Sequence, residues 1–105
     1  MNRLSTHILD TSLGKPAAGV PVRLLAGDRE ISSQVTDVDG RCQNLLPPGL
    51  ILTAGVYRIV VEIADYLPDS LYPEITISFK VLAETSHYHI PLLLSPFGYT
   101  TYRGS

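Results

Sequence analysis

Tryptophan is absent from this chain, and cysteine and methionine occur once each in its 105 residues. The lone cysteine, Cys42, excludes an internal disulfide, which fits a reducing compartment. Cationic side chains are few: eight Lys and Arg against ten Asp and Glu leave a formal charge of -2. Without a basic excess to displace counterions from phosphates, no nucleic-acid partner is expected. Hydrophobic runs are short, and none is long enough to span a bilayer. The first residues, Met1 to His7, carry no apolar signal core, and the closing residues match no lipidation or peroxisomal signal. The expectation is one domain over residues 1–105, soluble and cytoplasmic, with no membrane partner. A chain of this length buries about two-thirds of its unfolded surface, enough for a core without metal or disulfide staples.

Helical periodicity is also scarce, and period two is everywhere. Leu4, Thr6 and Ile8 alternate with Ser5, His7 and Leu9; Val20, Val22 and Leu24 with Pro21 and Arg23; Ile31, Ser33 and Val35 with Ser32 and Gln34. Val56 to Ile63 is rich in β-branched residues, and Ile75, Ile77 and Phe79 alternate with Thr76, Ser78 and Lys80. His87 to Leu94 and Tyr99 to Tyr102 form one strand bent at Ser95–Gly98, or two. Such alternation marks strands with one buried face. Turn residues separate the runs at Gly14-Lys15-Pro16, Ala26-Gly27-Asp28, Asp37-Val38-Asp39-Gly40, Leu46-Pro47-Pro48-Gly49 and Pro96-Phe97-Gly98. Pro68 and Pro73 limit the segment between Ile63 and Glu74 to at most a short helix. The expected architecture is all-β, a sandwich.

Asp37-Val38-Asp39-Gly40 has a faint calcium-loop look, but no acidic closing ligand follows; a hairpin turn with Gly40 at positive φ is expected. There is no Gly-x-Ser-x-Gly elbow and no glycine-rich phosphate loop. Cys42 has no histidine near it in sequence and reads as a small packing group.

What remains for chemistry is three histidines and an arginine. His87 and His89 leave the same face of their strand, and His7 lies opposite Leu4 and Ile8 on its own. Imidazole, with a pKa of about 6.5, exchanges protons near neutrality. His-x-His with a third histidine also admits zinc, although a metal-free histidine site is the reading preferred. Arg41 follows the turn glycine Gly40, so its planar fork starts a strand; it suits an anionic or carbonyl-rich ligand, or else a surface pairing with Asp37 or Asp39. The tail Tyr102-Arg103-Gly104-Ser105, polar and close behind an apolar strand, reads as placed rather than frayed.

In order, His7-Ile8-Leu9-Asp10, Gly14-Lys15-Pro16-Ala17, Thr36-Asp37 with Asp39-Gly40-Arg41, Gly55-Val56-Tyr57-Arg58, Tyr72-Pro73-Glu74-Ile75, His87 to Pro96 and Tyr99 to Ser105 closely resemble the 5-hydroxyisourate hydrolases. These are the transthyretin-related enzymes of urate breakdown. The resemblance spans nearly the whole chain, and Tyr-Arg-Gly-Ser is its most specific mark. It implies a transthyretin-like sandwich of seven or eight strands with at most one short helix. It also implies a homotetramer built as a dimer of dimers, with sites in a channel between dimers. Tyr99, Thr101 and the Leu92 to Leu94 run would then meet a partner subunit.

The resemblance further implies that His7, Arg41 and His89 are catalytic. Tyr102, Arg103, Ser105 and His87 would contact the substrate, and no metal or cofactor would be used. Water would attack C6 and open the N1–C6 bond; His7 is favoured as the base, relayed through Ser105, although exchanging its role with His89 fits equally. The competing readings are a non-catalytic transthyretin-like carrier, a structural sandwich module and a zinc hydrolase.

Overall fold

The structure, a computed structural model, describes residues 2–83 and 87–105. The strands run, in chain order, β1 Arg3–Asp10, β2 Lys15–Pro16, β3 Pro21–Ala26, β4 Arg29–Val35, β5 Arg41–Cys42, β6 Gly55–Glu62, β7 Glu74–Val81, β8 His87–Ser95 and β9 Gly98–Thr101. They form two sheets. One is β2-β1-β8-β9, with β5 also pairing β1; the other is β4-β3-β6-β7. Seven strands of four residues or more carry the sandwich, and β2 and β5 are two-residue additions.

The alternation works as a burial code. Leu4 and Ile8 of β1 and Tyr88, Ile90, Leu92 and Leu94 of β8 face Val22 and Leu24 of β3, Tyr57, Ile59 and Val61 of β6, and Ile75 and Ile77 of β7. Each fully buried Leu or Ile contributes roughly 1.5–3 kcal/mol relative to exposure. Two threonines tie the core to the backbone: Thr6 Oγ1 donates to Ile90 O at 2.7 Å, and Thr36 Oγ1 to Ala17 O at 2.7 Å.

Sheet one has an unusual centre. β1 and β8 run parallel over their whole length, from Arg3 opposite His87 to Asp10 opposite Leu94. The far edge of β1 is shared: β5 covers Thr6 and His7, and β2 covers Leu9 and Asp10. Pro91 lies within β8, where a missing N–H would weaken a central ladder. Its carbonyl is taken by the Thr101 hydroxyl at 2.7 Å, where β9 ends, so the gap falls where the ladder stops.

Two expectations change. Asp37–Gly40 is not a hairpin. It joins β4 of one sheet to β5 of the other, because Asp37 Oδ1 caps the N–H groups of Asp39 and Arg41 and turns the chain across the sandwich. Gly40 does supply positive φ, at 76°, and a Cβ there would lie 2.5 Å from the Ile8 carbonyl oxygen.

Within the expected limit of at most one short helix, none forms among the described residues, 63–73 included. Leu67 N bonds Ile63 O, but both Ile63 N and Ala64 N go to Pro73 O, closing a loop instead. Finally, Leu92 and Leu94 pack wholly inside the subunit's own core, since their register puts them on the inner face. Only Leu93 of that run faces outward. Tyr99 turns its ring edge-on to Tyr72, with centroids 5.3 Å apart.

Candidate active site

The outward face of β1, β5 and β8 carries the chemistry-bearing residues. On β1 the outward positions are Arg3, Ser5 and His7; on β8 they are His87 and His89. Antiparallel pairing sets Arg41 directly beside His7, and parallel pairing sets Ser5 beside His89 and Arg3 beside His87. Local sequence makes this possible. Gly40 and the Asp37 cap place the start of β5 against β1, so Arg41 turns outward while Cys42 turns in and is buried.

A cavity of about 190 Å³ opens on this face, with Arg41, His87, His89 and Ser105 on its wall; His7 lies beside Arg41 but off the wall. Arg3, Ser5, Thr6 and Gln43 complete the lining. Arg3 is braced by Gln43, donating from Nε to its backbone oxygen at 3.0 Å and from Nη2 to its Oε1 at 3.1 Å. Arg41 has no carboxylate within 4.0 Å among the described residues, so it is not spent on Asp37 or Asp39. Two larger hollows, of about 480 and 470 Å³, lie beside Pro47–Ile51 and beside Lys15 and Tyr66. Neither brings an imidazole and a guanidinium together, so size does not mark the site here.

The two central imidazoles differ. His89 Nδ1 is 2.8 Å from Ser5 Oγ. Its pKa is lowered, first by burial and then by electrostatic interaction with Arg41, His7 and His87, with a hydrogen bond to the Ser5 backbone acting the other way. It is therefore neutral at pH 7. His7 is half-buried, and its Nε2 is sealed from solvent without a hydrogen-bond partner. An unmade bond of this kind costs about 1–3 kcal/mol.

The tail is docked. Gly104 N–H donates to the His89 carbonyl at 2.7 Å. Its α-carbon lies so close to the imidazole that a Cβ would be 2.5 Å from Cδ2. That contact delivers Ser105 to the cavity. Arg103 does not enter the cavity: its guanidinium stacks over Tyr88, 4.5 Å from the ring centroid, in a separate hollow with Phe79 and Leu82. Tyr102 is exposed and off the cavity wall.

Of the residues singled out in the sequence, His7, Arg41, His87, His89 and Ser105 are thus brought together, and Tyr102 and Arg103 are not. Arg3, Ser5 and Gln43 were overlooked. The signal for them was present: they lie four and two residues before His7 and two after Arg41, on the same strand faces. Cys42 is no nucleophile; burial, then the Asp37 charge, pushes its thiol up to about 11. No group of three or more His, Cys, Asp or Glu side chains fit to hold a metal occurs among the described residues.

With this geometry in place, known proteins give a consistent comparison. A 5-hydroxyisourate hydrolase of Mesorhizobium japonicum is 43% identical, aligning over 98% of this chain and 92% of its own. The structure of Klebsiella pneumoniae 5-hydroxyisourate hydrolase superposes with a TM-score of 0.90 at 36% identity, covering 100% of both chains. Sea bream transthyretin in complex with thyroxine superposes at 0.86 with 31% identity, covering 97% of this chain and 94% of that one. The profile of the HIUase/Transthyretin family matches residues 4–104, and the chain belongs to that family.

Proposed function

We propose that this chain hydrolyses 5-hydroxyisourate, opening its N1–C6 bond to give 2-oxo-4-hydroxy-4-carboxy-5-ureidoimidazoline in urate degradation. The observation that carries the reading is His89 and Arg41, the latter without a carboxylate partner among the described residues, on the wall of one small polar cavity. A base, an anion-binding fork and room for a single bicyclic ligand are what this hydrolysis needs.

His89 is the base in this reading, and the preference for His7 is reversed. His89 borders the cavity and has its Nδ1 engaged by Ser5, leaving Nε2 for water. The Nε2 of His7 is buried and without a hydrogen-bond partner among the described residues, which favours His89 for this role. Water attacks C6 as His89 takes its proton. The oxyanion formed at C6 lies against Arg41, whose fixed charge offsets it. Collapse breaks C6–N1, and the proton held by His89 passes to N1 as it leaves. The products are a carboxylate and a ureido N–H, with no covalent enzyme intermediate and no cofactor. General-base assistance supplies roughly 10²–10⁴-fold, with positioning and electrostatics contributing the rest. His7 lies beside Arg41 at the neighbouring register position. Ser105 closes the pocket, His87 flanks the substrate, and Tyr102 and Arg103 serve as tail anchors.

The assembly that goes with this reading is a homotetramer in the cytoplasm, with the outward faces of β1 and β8 turned to a shared channel. The outward, half-buried Leu9 and Leu93 support it.

The test is the ultraviolet decay of freshly made 5-hydroxyisourate. The protein should accelerate it, and His89→Asn should lower turnover by about 10²–10⁴-fold while the fold persists. No acceleration, with tight binding of a small aromatic ligand instead, would favour a carrier.

A further inference from the structure

Ser5 is not among the candidate residues the sequence singles out, yet its side chain alone among the described residues is hydrogen-bonded to the His89 ring. The two residues are register partners across the parallel β1–β8 ladder. Ser5 is 6% exposed, and its hydroxyl has no other partner among the described residues. The opposite side of the ring is occupied by Gly104, which leaves no space for so much as a methyl group. The imidazole is therefore clamped: Gly104 limits its tilt, and Ser5 fixes its rotation.

A neutral imidazole carries one proton, and the hydrogen bond at one nitrogen decides where that proton resides. A serine hydroxyl can donate or accept, so the surroundings choose. Arg41 on β5 brings a fixed positive charge to the cavity that His89 borders. Cationic surroundings favour a lone pair on the nitrogen facing them and place the ring proton on the other one, against Ser5.

We propose that Ser5 is a positioning residue: its hydroxyl accepts the Nδ1 proton of His89 and thereby presents the Nε2 lone pair to the attacking water. This role rests on the hydrolase reading above. It makes Ser5 and His89 one unit in which the hydroxyl touches no substrate.

The experiment has two arms. In the kinetic arm, Ser5→Ala lowers kcat by about 10- to 100-fold, the range found for partners that orient a histidine ligand, with KM little changed. Ser5→Thr keeps the hydroxyl and restores most of the loss. A merely structural Ser5 would change melting temperature without this split between kcat and KM. In the second arm, 15N NMR of histidine-labelled protein reads the tautomer without substrate, His89→Asn identifying the signal. The wild-type protein shows His89 protonated on Nδ1, and Ser5→Ala shows a mixture. An unchanged kcat in Ser5→Ala, or wild-type His89 protonated on Nε2, overturns the proposal. Absence of any 5-hydroxyisourate hydrolysis by wild-type protein defeats the hydrolase reading and the catalytic role of Ser5 with it, even where NMR finds the Nδ1 tautomer.

Discussion

Gly104 and His89 are joined twice: the Gly104 N–H donates to the His89 carbonyl at 2.7 Å, and its α-carbon lies against the imidazole. The ring cannot yield easily, because Ser5 holds its Nδ1. A residue that reads as a flexible spacer is thus a fitted surface.

Gly104→Ala forces either the ring or the tail to move. Misplacement of a catalytic group by about 1 Å can cost on the order of 100-fold in rate. The expected outcome is a turnover loss of that size with melting temperature nearly unchanged, since the core is untouched. Steady-state kinetics beside a thermal melt measure it, and full activity would show that the contact is dispensable.

The lowered pKa of His89 fixes the direction of the pH dependence. In the proposed reaction its neutral form is the base, so kcat/KM should hold as pH falls to about 6.5 and decline only below that. Stability follows the same direction. Between the depressed folded pKa and the ordinary value, the unfolded chain binds more protons than the native state, so acidification through that window destabilises the fold. A pH–rate profile with its acidic limb above 6.5 would contradict the assignment.

Asp10, 1% exposed, anchors the far end of β1. Burial opposes its ionisation. Hydrogen bonds from Ser12, Tyr66 and Leu13 outweigh burial and hold the pKa below the ordinary 3.8. Tyr66 shows the reciprocal effect: burial, then the bond to Asp10 and its charge, pushes the phenol up to about 12. Tyr66→Phe removes a donor to a buried carboxylate and should cost about 1.5–3 kcal/mol. The difference is present above pH 3.8 and fades as pH falls through the folded pKa of Asp10, because a carboxyl protonated in both states gains nothing from ionic bonding. Urea unfolding of both proteins at neutral pH and near pH 3 checks it.

Much of this fold is written in period two. β1, β3, β4, β6, β7 and β8 announce themselves because one face of each must be dry. β2 and β5 do not, since two residues carry no period and exist only because β1 has a free edge. The same limit applies at the site. The faces of His7, His87 and His89 follow from parity alone, whereas the pairing of His7 with Arg41 depends on which strand occupies that edge. Asp37–Gly40 shows the converse: its turn chemistry was legible, but not that it crosses between sheets. The tetramer implied by the family resemblance places the Leu92 to Leu94 run against a partner, but the subunit's own core needs Leu92 and Leu94.

The parallel pairing of β1 with β8 has a kinetic consequence. Ser5 and His89 are 84 residues apart, so the pocket closes the longest loops in the chain, and contacts of high sequence separation are slow to form. A chain that has completed only its local hairpins, β3–β4, β6–β7 and β8–β9, holds most of its strands and none of its pocket. Recovery of catalysis during refolding therefore times the docking of the first strand against the eighth, and lags behind any spectroscopic signal of sheet formation.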